Sequence, residues 1–320
     1  MKISVCITVF NEEKNIHLLL EGLINQSKKP FEIIIVDARS SDNTVMIIKK
    51  YQKINKSIKF KIEAGSIAHC RNVSIKMAKG GIIALTDSGC IPNNNWLEKI
   101  YKPFRVFRKE LLVAGFYTMP FSNSIQEVAS VYLGIPEKRF NQKTFLPSAR
   151  SVAFSKTVWE KIGGFDESLE KGGEDTKFFY DCVKNNVKIV RVGDARVTWL
   201  ELSQMNLSTI ANKFYVYAKG DGQAKIWWHL SKQLSSHNIK ISLVFLRYLF
   251  FFFVFDLSMR NFIPIESVLF LLILYILWPI YKWRDVIISF RSRLFLPLMQ
   301  FISDIYVMSG FLAGTIKGNA

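Results

Sequence analysis

Residues 82–92 of the chain, IIALTDSGCIP, contain a short apolar run followed by a carboxylate and a glycine. The run from Ile82 to Leu85 predicts a buried parallel strand, because such strands are covered by other residues on both faces. Asp87 then lies at the carboxyl end of this strand, where open α/β sheets bind ligands. The alternative is that Asp87 only begins a turn, since Asp-Ser-Gly is common turn chemistry.

The composition argues against several classes of protein. The chain has 320 residues, 49% of them hydrophobic, and a formal net charge of +17. Its Lys and Arg residues are spread along the chain without a dense basic tract, so we expect no nucleic-acid partner. Its four cysteines lack CxxC spacing, which indicates neither a zinc site nor a disulfide framework and fits a reducing compartment. The N-terminal residues MKISVCITVF have a strand pattern and not that of a signal peptide.

The first part of the chain alternates strand patterns with helix patterns. Runs rich in β-branched residues at Ile3 to Val9, Phe31 to Val36 and Lys59 to Glu63 precede the strand that ends at Leu85. The segments between these runs show apolar residues at helical spacing. This alternation predicts an α/β fold made of βαβ units, with a mostly parallel central sheet flanked by helices.

The apolar residues are densest after Ile241. The spans 241–257 and 264–281 approach the length that crosses a bilayer core, and aromatic and basic residues flank both. We expect these hydrophobic helices to be membrane-embedded, the alternative being a pair of buried core helices. An amphipathic helix is predicted at 294–315. These patterns divide the chain into an α/β domain, residues 1–222, and a membrane-associated helical region, residues 223–320.

The charges around the two apolar spans predict an orientation in the membrane. Basic residues flank the pair on its two outer sides: Lys225, Lys232, Lys240, Lys282, Arg284, Arg291 and Arg293. The connecting segment, residues 258–263, contains Arg260 as its one basic residue. By the positive-inside rule, the α/β domain and the C-terminus are predicted to face the cytoplasm.

Charged residues that follow the predicted strands are candidates for a ligand site. Asp37 and Asp87 both terminate predicted parallel strands, so we expect their side chains to face one crevice. One such carboxylate suits a ribose or a base, and another suits a divalent cation held against a diphosphate. Arg71 lies on a predicted helix between them, where it is suited either to phosphate or to a structural ion pair.

Glu174 and Asp175 follow two glycines at a predicted helix start. One of them is a candidate general base for a sugar hydroxyl, and the alternative is helix capping, which Asp does well. Neighbouring residues of a helix point in different directions, so one of the two is expected to face a substrate. Gly173 would let an acceptor approach the backbone closely, so we place Gly173 and Glu174 on the acceptor side.

Taken together, these segments resemble the family 2 inverting glycosyltransferases with a GT-A fold. The matching segments occur in the family's order over roughly residues 1–200: SVCITVFNEEKNI, EIIIVDARSSDNT, AHCRN, LTDSGCIP, GGFDE and GGEDTKFFYDC. The resemblance implies that Asp37 contacts the nucleoside of a nucleotide-sugar donor, and with Arg71 and Asp87 it makes up the predicted donor site. It also implies that Asp87, the first carboxylate of the family's DxD element, binds a divalent cation (Mn²⁺ or Mg²⁺). By the same resemblance, Asp175 is the catalytic base.

Two positions depart from the family's pattern. Gly89 replaces the second DxD carboxylate, and Trp199 stands where many members have a late metal-binding His. The QxxRW signature of the processive members is absent from the sequence, which favours the transfer of a single sugar over polymer synthesis.

The sequence therefore predicts a membrane-associated transferase with a cytoplasmic catalytic domain. It would move one sugar from a nucleotide-sugar to a hydroxyl of a saccharide or lipid-linked acceptor, with inversion. Two alternatives stay open. A catalytically inactive membrane scaffold is favoured by the missing DxD carboxylate. A sugar-nucleotide pyrophosphorylase usually begins with a Gly-rich phosphate loop, and no such loop is present near Val9.

Overall fold

The computed structural model describes residues 1–107, 110–169, 171–225 and 237–317. These residues divide into two compact units. The sheet unit contains Met1–Pro120 and Phe140–Glu201. The helical unit contains Phe121–Arg139 and the described residues from Leu202 onward. The predicted domain boundary at residue 222 stays a prediction, and Lys232 of the orientation argument lies outside the described residues.

The sheet unit is built on an eight-stranded sheet in the order β3-β2-β1-β4-β7-β6-β8-β5. Its strands are β1 Ile3–Val9, β2 Glu32–Asp37, β3 Ile58–Ile62, β4 Ile82–Leu85, β5 Cys90–Pro92, β6 Leu111–Thr118, β7 Val152–Ser155 and β8 Lys188–Trp199. The pairs β1–β2, β2–β3, β1–β4 and β6–β8 are parallel, which confirms the predicted mostly parallel sheet. The pairs β4–β7, β6–β7 and β5–β8 are antiparallel, which the strand patterns did not predict.

The helices alternate with the first strands and then follow in series. They are α1 Ile16–Ile24, α2 Thr44–Ile54, α3 Ile67–Met77, α4 Trp96–Val106, α5 Ser124–Leu133, α6 Lys156–Ile162, α7 Glu174–Lys184, α8 Leu207–Gln223, α9 His237–Met259, α10 Ile265–Lys282 and α11 Phe290–Lys317. The first βαβ units form as the alternating strand and helix patterns predict. Strands β1, β2 and β4 are buried along their whole length, and α1 buries the apolar face that its helical spacing predicted.

The order of the first strands determines where their carboxyl ends lie. Strand β1 pairs with β2 on one side and β4 on the other, with Val9 opposite Asp37 and Cys6 opposite Leu85. All three strands run in the same direction, so the loops that follow them emerge at one edge of the sheet. Strands β2 and β4 lie two strand spacings apart, about 10 Å.

The helical unit is held together by close backbone packing between α8 and α11. A Cβ added at Gly314 of α11 would lie 2.1 Å from the Lys219 carbonyl oxygen of α8, and one added at Gly310 would lie 2.3 Å from the Tyr215 carbonyl oxygen. The two helices thus approach to a separation that no side chain at these glycines would permit.

A buried polar cluster connects the last three helices of this unit. The Asp304 carboxylate of α11 is 1% exposed and accepts hydrogen bonds from the Tyr275 hydroxyl of α10 at 2.9 Å and from Gln300 Nε2 at 2.7 Å. It also forms an ion pair with Arg247 of α9. A buried carboxylate needs such partners to offset the loss of its hydration.

Three helices of the described chain are long and apolar enough to cross a membrane. The segments are Ile239–Met259, Ile265–Lys282 and Phe290–Ile316. The first contains the predicted span 241–257 and the second covers the span 264–281 except Pro264, which confirms hydrophobic helices at the C-terminal end. The third covers the predicted amphipathic helix and is longer than expected. Within the apolar 18-residue stretch of each helix, the share buried inside the protein is 39% for α11, 17% for α9 and 11% for α10.

Candidate active site

Two polar loops at the carboxyl edge of the sheet are joined by hydrogen bonds. Asn11 follows β1 with a positive φ of 52°, and its Oδ1 accepts from the Ser41 backbone N–H at 2.8 Å. The Glu12 N–H donates to Thr44 Oγ1 at 2.8 Å, and the Glu13 N–H donates to Asp42 Oδ2 at 3.1 Å. These hydrogen bonds hold the loop FNEE, residues 10–13, against the loop SSDNT, residues 40–44, and so give this edge of the sheet a defined shape.

Asp37 lies at the end of β2 within this pair of loops. Its side chain is fully buried, and both carboxylate oxygens accept from Ser40, from the backbone N–H at 2.8 Å and from the hydroxyl at 2.6 Å. Among the described residues, no contact joins it to the other candidate residues. The expected contact between Asp37 and a nucleoside stays a prediction.

Arg71 brings together residues from three distant parts of the sequence. Its guanidinium donates to Asp87 Oδ1 at 2.9 Å and to Glu174 Oε1. Helix α3, which begins after Ser66 caps its first turn, carries Arg71 into this position, where the side chain is 5% exposed. The sequence left open a phosphate ligand or a structural ion pair, and the structure shows two ion pairs.

The buried charges of this cluster affect one another strongly. Burial alone would lower the pKa of the Arg71 guanidinium, but Glu174 and Asp87 hold it above its ordinary value. Burial raises the pKa of the Glu174 carboxyl, while Arg71 acts in the opposite direction. Glu174 Oε2 is buried without a hydrogen-bond partner in the described residues. The two ion pairs of Arg71 therefore hold α3, the end of β4 and the start of α7 close together.

Asp175 adjoins this cluster in the first turn of α7. Its Oδ2 accepts from the Ala149 N–H at 3.2 Å and its Oδ1 accepts from the Thr176 N–H at 2.7 Å. The side chain is half-buried, whereas that of Glu174 is 4% exposed. Gly172 and Gly173 lead into the helix with φ values of 78° and 83°, which a residue with a Cβ rarely adopts. The expected acceptor contacts of Gly173 and Glu174 stay predictions.

Other side chains complete the surroundings of Asp87. A Cβ added at Gly89 would lie 3.9 Å from Glu12 Oε1 and 4.0 Å from Trp199 Nε1. Burial raises the pKa of the Glu12 carboxyl. Arg150 stacks over Trp199, with its Cζ 4.1 Å from the ring centroid, and also over Tyr117 at 4.8 Å.

The residues around Asp87 provide a direct test of the expected divalent cation. One Asp87 oxygen already accepts from Arg71, Gly89 carries no side chain, and the Trp199 indole donates without accepting. No group of three or more His, Cys, Asp or Glu side chains that could hold a metal ion occurs in the described ranges. Divalent cations favour several oxygen ligands. A cation at this place would therefore be held by Asp87 together with phosphate oxygens of a bound nucleotide, and the expectation stays a prediction from the resemblance.

The sequence patterns pointed to four of these residues and missed others. Arg71, Asp87, Glu174 and Asp175 are brought together as expected of a site. Glu12 lies within one of the segments that resemble the family but was not singled out there, and neither was Arg150. One sequence feature could have pointed to Arg150. It ends the segment PSAR, residues 147–150, just before the short strand β7, and an Arg beside small residues in such a place is compatible with a loop near a ligand.

A family model and several characterised proteins match this chain. The model described as glycosyl transferase family 2 matches residues 4–156. Glycosyltransferase AglE of Haloferax volcanii is 27% identical over 178 residues, which are 54% of this chain and 58% of AglE. Poly(ribitol-phosphate) beta-N-acetylglucosaminyltransferase TarP of Staphylococcus aureus is 29% identical over 190 residues, 58% of each protein. The chain thus spans little more than half the length of these two relatives.

One relative matches along almost its whole length. It is the Methanococcus voltae dolichyl N-acetyl-alpha-D-glucosaminyl phosphate 3-beta-D-2,3-diacetamido-2,3-dideoxy-beta-D-glucuronosyltransferase, which is 26% identical over 334 residues. The alignment covers 99% of this chain and 98% of that protein.

Solved structures show the same fold at low sequence identity. Staphylococcus aureus TarS in complex with UDP has a TM-score of 0.52 and 17% identity, covering all of this chain and 92% of that one. The Pyrobaculum calidifontis mannosyltransferase PcManGT, solved with GDP-Man and Mn²⁺, has a TM-score of 0.57 and 14% identity, covering 99% and 87%. The predicted GT-A-type fold is thereby confirmed, and the match of residues 4–156 to the family model confirms the resemblance to family 2.

Proposed function

Because residues 4–156 of this chain match the model of glycosyl transferase family 2, we propose that it transfers a single sugar from a nucleotide-sugar donor to a hydroxyl of a saccharide or lipid-linked acceptor, with inversion. The observation that carries the proposal is the cluster in which Arg71 pairs with Asp87 and Glu174, beside Asp175. It puts a candidate base next to the carboxyl edge of the sheet, where α/β folds bind nucleotides.

In this reaction Asp175 acts as the general base. Its carboxylate removes the proton of the acceptor hydroxyl while the hydroxyl oxygen forms a bond to the anomeric carbon of the sugar. The bond between that carbon and the donor phosphate breaks, and its electron pair leaves with the nucleoside diphosphate. A single displacement of this kind inverts the anomeric configuration. The two backbone N–H groups that bind Asp175 hold its side chain in place and leave lone pairs for the hydroxyl proton.

The donor is assigned to the edge formed by the loops after β1, β2 and β4. Asp37 is proposed to contact the nucleoside. Arg71 would place Asp87 beside the diphosphate, since it holds one oxygen of this carboxylate. In PcManGT a divalent cation accompanies the nucleotide-sugar. In this chain such an ion would be held by Asp87 and the diphosphate oxygens and would offset their negative charge, and no step of our mechanism is routed through it.

The acceptor is proposed to be a membrane-bound or cell-envelope saccharide. The name of the Methanococcus voltae relative includes a dolichyl phosphate sugar, and the name of the Staphylococcus aureus relative TarP includes poly(ribitol-phosphate). The exposed apolar helices α9 and α10 support a location at a membrane, where a lipid-linked acceptor is available. We propose that the sheet unit faces the cytoplasm, on the basis of the positive-inside rule.

Measurement of nucleoside diphosphate release from a panel of nucleotide-sugars tests this function. We expect release from one donor, stimulated by membrane extracts that contain saccharide acceptors, and a product whose anomeric configuration is inverted by NMR. Release of pyrophosphate from a nucleoside triphosphate and a sugar 1-phosphate, with formation of the nucleotide-sugar, would instead indicate a pyrophosphorylase. Donor binding without any release in the presence of acceptor would indicate an inactive scaffold.

A further inference from the structure

Two lysines lie where the outer ends of helices α9 and α10 come together. The Tyr248 hydroxyl of α9 is 3.1 Å from the Tyr275 hydroxyl of α10, so these two residues lie at one level of the helix pair. Lys240 precedes Tyr248 by about two helical turns, and Lys282 follows Tyr275 by about two turns. Both lysines are therefore at the end away from the connecting segment 258–263, about 10–12 Å beyond the tyrosine contact.

Arg139 reaches the same end of the helix pair from a different part of the chain. Its guanidinium donates to the backbone carbonyl of Lys282 and forms an ion pair with Asp285. Its Cζ lies 4.3 Å from the ring centroid of Trp283, and Lys282 Nζ lies 4.8 Å from the same centroid. The Trp283 side chain is 7% exposed, so both cations are held beside one buried ring. We call Arg139, Lys240 and Lys282 the basic cluster, and all three belong to the helical unit.

The basic cluster carries more positive charge than nearby carboxylates offset. The charges of Arg139 and Lys240 both repel the Lys282 ammonium. Asp285 pairs with Arg139, but within the described ranges neither lysine has a carboxylate at ion-pair distance. Like charges held together raise the free energy of the folded chain, and a bound anion would offset that cost.

A neighbouring ion pair leaves this excess charge unchanged. Arg247 of α9 pairs with the buried Asp304 carboxylate of α11, at the level of the tyrosine contact. Both charges act on Lys282, Arg247 repelling its ammonium and Asp304 attracting it. Because the two are opposite in sign and adjacent, their effects largely cancel, and the basic cluster keeps its positive excess.

The position of the basic cluster determines which anion can reach it. Helices α9 and α10 are long and apolar enough to cross a membrane and expose most of their apolar stretch, so their ends would lie at the level of the lipid headgroups. Lys282 is half-buried there. An anion that a hydrocarbon chain holds at this level is a lipid phosphate. Ammonium and guanidinium groups are both suited to its oxygens.

We propose that Arg139, Lys240 and Lys282 bind the phosphate that links the acceptor saccharide to its lipid. The phosphate takes no part in the transfer and keeps both of its ester bonds. Its role is recognition, so the chain binds a lipid-linked saccharide more tightly than the same saccharide without the lipid phosphate. The identification of this lipid as the acceptor rests on the proposed function.

Binding of a fluorescent long-chain polyprenyl phosphate to the full chain in phosphatidylcholine nanodiscs tests the inference. We expect Lys240→Gln and Lys282→Gln each to raise the Kd of this probe by about tenfold or more, the effect expected of a charge-assisted hydrogen bond. Lys282→Arg keeps the charge and the ability to bind phosphate, so its Kd should stay within about threefold of the wild type. Polyprenol, which lacks the phosphate, should not displace the probe.

Arg284→Gln is the matched control, because it removes a charge from the same end of the helix pair. Arg284 is exposed and stacks over Tyr281, with its Cζ 3.9 Å from the ring centroid, outside the basic cluster. This variant should leave the Kd unchanged, whereas a general attraction between basic residues and the membrane surface would weaken with either charge. Thermal unfolding in detergent shows that each variant is folded.

Two competitors distinguish other sources of the same phosphate chemistry. Phosphatidylglycerol in the nanodisc and inorganic phosphate in the buffer should each displace the probe far less well than unlabelled polyprenyl phosphate does. Equal displacement by either competitor would overturn the assignment to a lipid-linked acceptor. An unchanged Kd in folded Lys240→Gln and Lys282→Gln would overturn the site itself.

The outcomes separate this inference from the proposed function. Release of nucleoside diphosphate by a chain whose basic cluster does not affect lipid binding would overturn the inference and leave the transferase proposal standing. Binding of polyprenyl phosphate that depends on the basic cluster, without release from any donor, would overturn the transferase proposal and leave a lipid phosphate site.

Discussion

At the scale of single residues, Glu174 and Asp175 show how neighbouring carboxylates acquire different properties. Glu174 is buried against Arg71, and burial raises the pKa of its carboxyl. Asp175 is half-buried and bound by two backbone N–H groups. A base must reach its substrate, so the more accessible carboxylate is the better candidate. Glu174 is better suited to positioning Arg71.

We expect Asp175→Asn to lower kcat by about 10²- to 10⁴-fold, the usual contribution of a general base, with the donor Kd nearly unchanged. Asn caps helices as well as Asp does, so a purely structural Asp175 would tolerate the change. Steady-state kinetics with the donor found in the release assay makes the measurement. Asp181→Asn on the same helix, where Asp181 pairs with Lys177 at 2.8 Å, is the matched control. Near-normal turnover of Asp175→Asn would assign the base elsewhere.

Glu32 at the start of β2 predicts a pH-dependent contribution to stability. Its side chain is 2% exposed, pairs with Lys59, and accepts from Ser4 Oγ at 2.7 Å and from the Lys79 N–H at 2.6 Å. Burial would raise the pKa of this carboxyl, but these partners together hold it below its ordinary value. The stabilisation is therefore present above a pH of about 4.5 and is lost as the pH falls through the lower pKa of the folded state.

Glu32→Gln should accordingly reduce the free energy of unfolding at pH 7 by about 1–3 kcal/mol. The difference between variant and wild type should shrink as the pH falls below about 4.5. Urea titrations at several pH values measure it. Glu110→Gln is the control, since Glu110 forms an exposed ion pair with Lys161. A difference that stays constant down to pH 3 would contradict the assignment.

At the scale of elements, the packing of α8 on α11 depends on glycines that no local pattern marked. The Cβ position of Gly314 lies 2.1 Å from a backbone oxygen, and backbone cannot move aside as a flexible side chain can. Even the smallest side chain would thus force the helices apart. The same short approach explains why α11 buries more of its surface than α9 or α10.

Gly314→Ala should destabilise the protein by about 1–3 kcal/mol, as overpacking typically does, despite the better helix propensity of Ala. Gly81→Ala, at a position where an added Cβ meets nothing within 4 Å, should change stability much less. Thermal unfolding in detergent compares the two. Equal melting temperatures would show that the helices are not in backbone contact.

At the scale of the whole molecule, the charges of α8 bear on how α11 meets the membrane. Helix α8 carries Lys213, Lys219 and Asp221, and its backbone contact with α11 would draw these charges into the bilayer if α11 crossed it. Burying charged side chains in hydrocarbon is costly. We therefore keep the prediction that α9 and α10 form a membrane hairpin, whereas α11 lies along the interface.

Cysteine labelling in sealed vesicles tests this topology. We expect Asn261→Cys, in the segment between α9 and α10, to react from the side opposite the C-terminus. Asn319→Cys, outside the described residues, should react from the cytoplasmic side. The native cysteines are all buried, which limits background labelling. Reaction of both positions from one side would contradict the hairpin with an interfacial α11.

Local sequence patterns account for the first βαβ units and the hydrophobic C-terminal helices, and they marked several residues of the candidate site. Short stretches of sequence show these features, because a buried strand must be apolar on both faces and a packed helix must be apolar on one. Asp87, Arg71 and the pair Glu174-Asp175 stood out because charges at strand ends and helix starts break those patterns.

The pairing of these residues and their surroundings follow from the folded chain and from no local pattern. The antiparallel strands β5 and β7 are short and pair with partners distant in sequence, as in the pairing of Cys90 with Trp199. The partners of Arg71 lie 16 and 103 residues away, so no local spacing relates them. The stacking of Arg150 on Trp199 also depends on the folded chain. Local propensity acts over a few residues, whereas contacts between distant segments form only when burial of the whole core brings the segments together.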